Sequence, residues 1–389
     1  AVPVHHRFGS YELEDLVRLI EPALTITTTA QVDELVGSPP VTHHDAHPAD
    51  DAVVLFTAGS TGRPKGVRHS QAALAYKARL MVEVHGLTPS DVVLMPAPLA
   101  HISGLLNGVL VPGAIGMTTV LLDRWSPSRA LDLIEREQVS FMVGPPTFFL
   151  DLMDDPTFST ERVESLRLVS SGGAGVAASF VERATRELGA VVKRSYGSTE
   201  APTVATSLST DDPTRAMEYD GHAIGAAALR IEQGELEVRG PELFVGYLSP
   251  DQTRDAMTDD GWFRTGDLAT IDDEGWLTIV GRVKDIVIRA GENISAREVE
   301  ELLVAHPDVA EATVFGVPHH RLGEQVAAVV VSSTDFTTEE CRRWFEANHV
   351  ARFKTPERVM RVDRLPRLAS GKVDRERLKD LVRSSPDVS

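Results

Sequence analysis

The chain of 389 residues contains one cysteine, Cys341. A single thiol excludes an internal disulfide and fits a reducing cytoplasm. Positive charge is also in short supply. Lys and Arg number 39 against 57 Asp and Glu, for a formal net charge of −18. That balance argues against a general nucleic-acid or acidic-membrane binder, but not against a local basic site for a phosphate. No apolar run reaches the length that spans a membrane. The opening AVPVHHRFGS lacks the basic start and apolar stretch of a signal peptide. It also lacks a starting Met, as expected of a processed chain or a piece of a longer one. Repeats and low-complexity tracts are missing too. What is present is a globular composition, 42% hydrophobic and 25% charged, in a chain long enough for two or three units.

The stretch that organises the rest is residues 55–67, LFTAGSTGRPKGV. An apolar strand end, Val53 to Phe56, runs into a loop of small residues, Thr57 to Gly62, closed by Pro64, Lys65 and Gly66. Glycines beside hydroxyls let the backbone turn tightly and aim N–H groups at an anion. Thr57, Ser60 and Thr61 add donors and Lys65 a charge, so the loop is a candidate phosphate cradle. It is not a Walker A loop, because Lys65 has no Gly before it and no Ser or Thr after it. A plain surface turn is the competing reading of this loop taken alone.

Strands, Gly-rich turns and helices alternate along the chain. The patterning predicts a helix from Tyr11 to Ile20, a strand-like stretch from Thr25 to Thr29 and a linker from Ser38 to Asp51. A helix over 69–85 follows, then a buried strand from Val92 to Met95, ended by Pro96 and Pro98. Residues 109–122 read as a strand pair. Ser126 and Pro127 open a helix to Gln138. Strands at 140–144, 166–170 and 191–195 surround a helix from Ala178 to Leu188. The order indicates an α/β fold with a doubly wound, mostly parallel sheet. Ligands of such sheets bind beyond the carboxyl ends of the strands. The loops 57–66, 98–104, 171–175 and 196–200 all follow strands, so they are expected to converge on one crevice.

These loops hold the chemistry-bearing side chains. His101 lies in PLAHISG, residues 98–104, where a surface or helix-cap histidine is the ordinary reading. Tyr196, Thr199 and Glu200 lie in YGSTEAP, residues 196–202. A purine can stack on Tyr196, and a hard cation such as Mg²⁺ prefers an oxygen ligand like Glu200. A core tyrosine beside a solvated glutamate is the alternative. From Gly225 to Val280 strands dominate, as in a small β-subdomain. Its GWFRTGDL stretch, residues 261–268, presents Asp267 after a Thr-Gly turn. That carboxylate can accept both hydroxyls of a ribose, or can close an Asx turn. The charged run from Gly281 to Asp285 marks a boundary before a compact α/β unit. Within that unit, Ser295 with Glu298 and Thr337 with Glu340 read as capping boxes. Near the end Lys372 follows Ser370 and Gly371, where a lone lysine is normally a solvated charge.

Taken in order, TAGSTGRPKG, PLAHISG, SYGSTEAP, GWFRTGDL, GRVKDIVIRAGENISAREVE and PRLASGKV resemble the signatures of the adenylate-forming superfamily. That superfamily comprises acyl-CoA synthetases, adenylation domains of peptide synthetases and luciferases. Each motif alone is a weak signal; the ordered set is specific, and it lies within residues 53–378. The resemblance implies a large N-terminal domain, residues 1–283, with the doubly wound sheet and β-subdomain. It implies a small mobile α/β C-terminal domain, residues 284–389. The implied reaction has two steps: a carboxylic acid and ATP give an acyl-adenylate, and a thiol, usually that of coenzyme A, gives a thioester. ATP, Mg²⁺ and coenzyme A are the implied cofactors. The expected partners are a small carboxylic acid, ATP and CoA, without nucleic acid or a membrane span, and a homodimer is one assembly the reading allows.

By the same resemblance, Thr57, Ser60, Thr61, Gly62 and Lys65 grip the pyrophosphate. Glu200 is the Mg²⁺ ligand and Thr199 a phosphate contact. Tyr196 stacks on adenine beside Gly172, Gly173 and Ala174, with Gly197 and Ile279 also at the nucleotide. Asp267 and Arg282 clamp the ribose. Lys372 bridges the carboxylate and the α-phosphate, and His101 gates the acyl site. Lys284 is the hinge of the small domain and Gly291 lines the thiol's tunnel. The chain departs from the pattern at Ala58, where Ser is usual, and at Ala290, where the first Gly of a GGEN segment is usual. It also starts later than is common. SYGSTEAP and GPELFVGYL are similar to the fatty-acid and cyclohexanecarboxylate-type ligase branch. Residues around Phe148, Phe149, 171–175 and 195–203 are small or apolar, without an obvious Lys or Arg for a second carboxylate. That favours a monocarboxylate. The alternatives are an adenylation enzyme that loads a carrier-protein thiol and an inactive nucleotide-binding homologue.

Overall fold

The structure, a computed structural model, describes residues 1–4, 10–36, 46–57, 65–173, 175–367 and 373–385. Its centre is a seven-stranded sheet. Strands Thr118–Leu121, Val92–Met95, Phe141–Gly144, Leu168–Gly172 and Val191–Tyr196 lie side by side in parallel, in that order. Two short strands, Ala205–Thr206 and His222–Ala223, extend it antiparallel. The parallel strands are rich in apolar residues because both faces are covered. On one face Leu94, Met142, Val169 and Val192 pack against helices Pro127–Glu137, Pro146–Met153 and Ala178–Leu188 through Leu131, Phe149 and Val181. On the other, Val93, Met95, Phe141 and Leu168 meet Ala78 and Met81 of helix Gln71–His85. Successive residues of each strand thus serve opposite cores, as the pleat requires.

Three further sheets surround this one. Strands Asp51–Thr57 and Lys65–Ser70 form an antiparallel pair, which Gly246–Tyr247 extends. Strands Ala228–Glu232, Glu235–Arg239, Phe263–Ile271 and Leu277–Arg282 form the antiparallel β-subdomain. The C-terminal unit has a five-stranded sheet of Glu292–Ser295, Ile286–Arg289, Gly323–Ser332, Val309–His319 and Arg358–Val362. Helices Ala296–Val304 and Thr338–Ala347 cover one face of it through Val299, Leu303, Cys341 and Phe345. Helix Arg375–Ser384 covers the other through Leu378 and Val382. The capping box of Thr337 and Glu340 is complete. Ser295 accepts from the Glu298 N–H, but the Glu298 carboxylate pairs with Lys354 instead of closing a second box.

Several elements differ from the sequence expectation. The stretch Thr25 to Thr29 is not a strand. The Gln31 side chain accepts from the Thr27 and Thr28 N–H groups at 2.8 and 3.1 Å, and helix Thr29–Val36 starts there. Residues 69 and 70 belong to a strand, and Ser70 caps the helix that begins at Gln71. Residues 109–122 contain one strand, not two. The chain is helical through Ile102–Leu105, a π turn Leu106–Leu110 and Val111–Ile115, and becomes extended only at Thr118–Leu121. Two glycines let this helical run press onto strand Val92–Met95 and the segment that follows it. A Cβ on Gly104 would lie 2.1 Å from the Pro98 carbonyl oxygen, and one on Gly108 would lie 2.8 Å from Met95.

Candidate active site

Asp267 and Arg282 are cross-strand partners in the β-subdomain. Register alone therefore brings Arg282 Nε to 2.9 Å from Asp267 Oδ1. Tyr196 ends the last parallel strand of the central sheet, and its hydroxyl donates to Asp267 Oδ2 at 2.7 Å. Burial, and then the Asp267 carboxylate, hold the Tyr196 phenol well above its usual value, so it keeps its proton and donates. Both Asp267 oxygens are thus oriented, while a carboxylate has lone pairs for further donors. Gly172 lies opposite Ser195 in the parallel ladder. A Cβ there would stand 2.2 Å from the Ser195 carbonyl oxygen, so glycine is what lets the two backbones approach. Gly173 follows with φ +76°. Behind these residues, Arg194 donates to Asp220 Oδ1 at 2.8 Å, and Asp220 Oδ2 accepts from the Ile279 N–H at 2.9 Å. This buried pair ties the strand of Tyr196 to the strand of Arg282.

The loop after Tyr196 is held through its carbonyls. His69 Nε2 donates to the Thr199 oxygen at 2.7 Å. Burial lowers the His69 pKa, which favours the neutral ring with its proton on Nε2. The Phe244 N–H donates to the Glu200 carbonyl at 2.8 Å, and the Tyr247 hydroxyl donates to Glu200 Oε1 at 2.8 Å. Lys77, fully buried, donates to the Thr203 carbonyl at 2.9 Å and pairs with buried Glu242 at 3.3 Å. Thr203 has φ +37°, a conformation that a side-chain-bearing residue adopts only under constraint. Gly197 leaves room for this return, since a Cβ on it would stand 2.3 Å from the Thr203 nitrogen. The sequence reading missed His69, Lys77, Arg194, Asp220 and Tyr247. Lys77 had a readable signal, a lysine set among Ala73, Leu74, Ala78 and Met81 of one helix. The others act through distant pairings that local pattern does not encode.

The remaining expected residues fall into two groups. Thr57 pairs with Lys65 across the first hairpin. Ser60, Thr61 and Gly62 between them lie outside the described residues, as do Ala58, Ala174 and Lys372. His101 caps helix Ile102–Leu105, where its Nδ1 accepts from the Ser103 N–H at 3.4 Å. Lys284 sits in the turn Val283–Asp285. Gly291, φ +91°, shares the tip of the next hairpin with Ala290, φ +50°. The turn keeps its left-handed geometry although Ala stands where glycine is favoured. The structure therefore gathers Gly172, Tyr196, Thr199, Glu200, Asp267, Ile279 and Arg282 around one end of the central sheet. His101, Lys284 and Gly291 occupy separate turns. Among the described residues no group of three His, Cys, Asp or Glu forms a metal cage. Glu200 instead offers a single carboxylate, which is what Mg²⁺ takes when phosphates and water complete its shell.

Residues 1–248 match the AMP-binding enzyme family, and residues 298–372 match the AMP-binding enzyme C-terminal domain. The medium-chain fatty-acid–CoA ligase of Escherichia coli strain K12 is 36% identical over 354 residues, 87% of this chain and 62% of that protein. The 3-[(3aS,4S,7aS)-7a-methyl-1,5-dioxo-octahydro-1H-inden-4-yl]propanoyl:CoA ligase of Rhodococcus jostii strain RHA1 is 36% identical over 376 residues, 96% of this chain and 71% of that protein. The crystal structure of ATP-bound MatB from Rhodopseudomonas palustris superposes with a TM-score of 0.90 at 29% identity, covering 98% of this chain and 84% of that one. The chain belongs to the AMP-binding enzyme family of the adenylate-forming superfamily, among the AMP-forming acid–CoA ligases.

Proposed function

We propose that the chain activates a carboxylic acid with ATP and passes the acyl group to coenzyme A. The observation that carries this reading is the Tyr196–Asp267–Arg282 constellation, built at the carboxyl end of the central sheet beside Thr199 and Glu200. In the first step a carboxylate oxygen attacks the α-phosphorus and the bond to the β-phosphate oxygen breaks, so pyrophosphate leaves. In the second the thiolate sulfur attacks the acyl carbon, and the bond to the AMP oxygen breaks. Neither step needs a nucleophilic side chain. Positioning and charge stabilisation are what such transfers demand.

The residues divide that work. Asp267 accepts the ribose hydroxyls on the lone pairs left by Arg282 and Tyr196. The tethered Tyr196 ring presents a fixed face to adenine, opposite the backbone of Gly172 and Gly173. Lys65 and the loop that Thr57 opens grip the β- and γ-phosphates, with Thr199 as a further phosphate contact. Glu200 would hold Mg²⁺, which when bound supplies positive charge at the phosphate oxygens. Lys372 would reach the carboxylate and the α-phosphate when the C-terminal unit closes, with Lys284 as hinge, Gly291 on the thiol path and His101 at the acyl site. The division between residues 283 and 284 belongs to the same proposal and rests on the turn Val283–Asp285. A cytoplasmic setting accords with the single, buried thiol of Cys341. The names of the two ligases compared above favour an aliphatic or alicyclic acid.

A panel of straight-chain and alicyclic acids tests the reading. With ATP and Mg²⁺ the chain should release pyrophosphate only when an acid is present, and should form acyl-CoA when CoA is added. A thioester formed on a phosphopantetheinylated carrier protein, with none on CoA, would replace CoA as the acceptor. No acid-dependent pyrophosphate release from any acid would overturn the proposal.

A further inference from the structure

Tyr247 has no part in the mechanism above, yet it touches two of the charged groups assigned to the triphosphate and its metal, Glu200 and Lys65. Its backbone is fixed by the short strand Gly246–Tyr247, which pairs with Arg68 and Val67. The flanking Val245 and Leu248 N–H groups donate to the carbonyls of Arg68 and Gly66, each at 2.8 Å. The residue is buried, and the Phe244 ring meets it edge-on with centroids 4.9 Å apart. Two features of this rigid ring are in use. Its hydroxyl donates to Glu200 Oε1 at 2.8 Å. Its face receives the Lys65 ammonium, whose Nζ lies 4.9 Å from the centroid. Glutamate and lysine are long side chains that lose much rotamer freedom when ordered. Here one side chain that is already ordered takes the aim of both.

We infer that Tyr247 is a positioning residue that presets Glu200 and Lys65 for the nucleotide's phosphates, the hydroxyl orienting the acid and the ring seating the lysine. The inference rests on the phosphate-site reading of those two residues. It predicts a separable effect for each half of the side chain. A hydrogen bond to a charged group is worth about tenfold or more in binding, and a cation–π contact about three- to tenfold.

The test uses the whole chain with Tyr247→Phe and Tyr247→Leu. ATP affinity is measured by calorimetry over a series of Mg²⁺ concentrations, beside acid-dependent pyrophosphate release and conversion of a synthetic acyl-adenylate to acyl-CoA. Tyr247→Phe keeps the ring, so ATP affinity without Mg²⁺ should stay within about twofold while the Mg²⁺ needed for half-maximal ATP binding rises about tenfold. Tyr247→Leu should further weaken ATP binding without Mg²⁺ by about three- to tenfold. Conversion of the preformed acyl-adenylate should be within about twofold of wild type in Tyr247→Phe, because no triphosphate is then in the site. Wild-type Mg²⁺ dependence in Tyr247→Phe would overturn the inference, as would equal losses in both half-reactions. A wild-type chain that binds ATP but releases no pyrophosphate would end the functional reading, while the binding measurements would still decide the role of Tyr247.

Discussion

Asp267 shows how one side chain is made ready before any ligand arrives. Arg282 holds one oxygen and the Tyr196 hydroxyl holds the other, so the carboxylate is held in one orientation with lone pairs left for further donors. On the proposed ribose role, removing it should cost those contacts and also loosen Tyr196. Asp267→Ala is expected to weaken ATP and AMP binding by about 1.5–3 kcal/mol, the worth of hydrogen bonds to a charged group, roughly ten- to a hundredfold. Calorimetric titration with each nucleotide measures this, and unchanged affinity would remove Asp267 from the nucleotide site. Asp267 and Arg282 were legible in the sequence because each sits inside a motif. His69 and Tyr247 were not. Each reaches the Thr199–Glu200 loop from a neighbouring strand, and nothing in the residues beside them announces that contact.

Helix Gln71–His85 illustrates the same limit for a whole element. The sequence announced a helix here, and its apolar residues fix it against the central sheet. Its two buried basic groups were not announced. Lys77 holds the Thr203 carbonyl, and His85, at the last turn, packs against the Phe141 ring with centroids 5.3 Å apart. Burial, then the charges of Lys193, Arg167 and Lys77, push the His85 pKa down to about 3. An unfolded histidine titrates near 6.5, so between pH 6.5 and 3 the unfolded chain binds the extra proton. Stability from this group is therefore complete above pH 6.5 and is lost as pH falls towards 3, by about 1.4 kcal/mol per pH unit. The slope of denaturant unfolding between pH 4 and 6 should include this contribution, and His85→Gln should reduce it by about one proton. An equal slope in the variant would mean that His85 is not the group responsible. The region 109–122 gives the opposite lesson. Its branched and small residues suit a strand locally, but Gly104 and Gly108 allow a helix to lie against Pro98 and Met95, and that packing decides.

At the scale of the molecule, a strongly acidic chain keeps a few positive groups at one end of its central sheet. The mostly parallel order of that sheet and the separate C-terminal unit were legible from alternation and turn chemistry. How the two units meet was not, because it depends on contacts between surfaces far apart in sequence. Ser295 donates to the Val280 carbonyl at 2.6 Å, and Arg297 of the C-terminal unit borders the loop of Gly175, its Nε 3.7 Å from where a Cβ would stand. The first turn of helix Ala296–Val304 thus lies against the glycine loop that ends the strand Leu168–Gly172. In the proposed reaction a carboxylate oxygen becomes bonded to the α-phosphorus of ATP. Supplying the accepted acid with oxygen-18 in both carboxylate positions, with ATP and CoA, tests that bond directly by mass spectrometry. The expected products are AMP carrying one labelled oxygen, a thioester carrying the other and unlabelled pyrophosphate. Unlabelled AMP, or ADP with the label in inorganic phosphate, would contradict it.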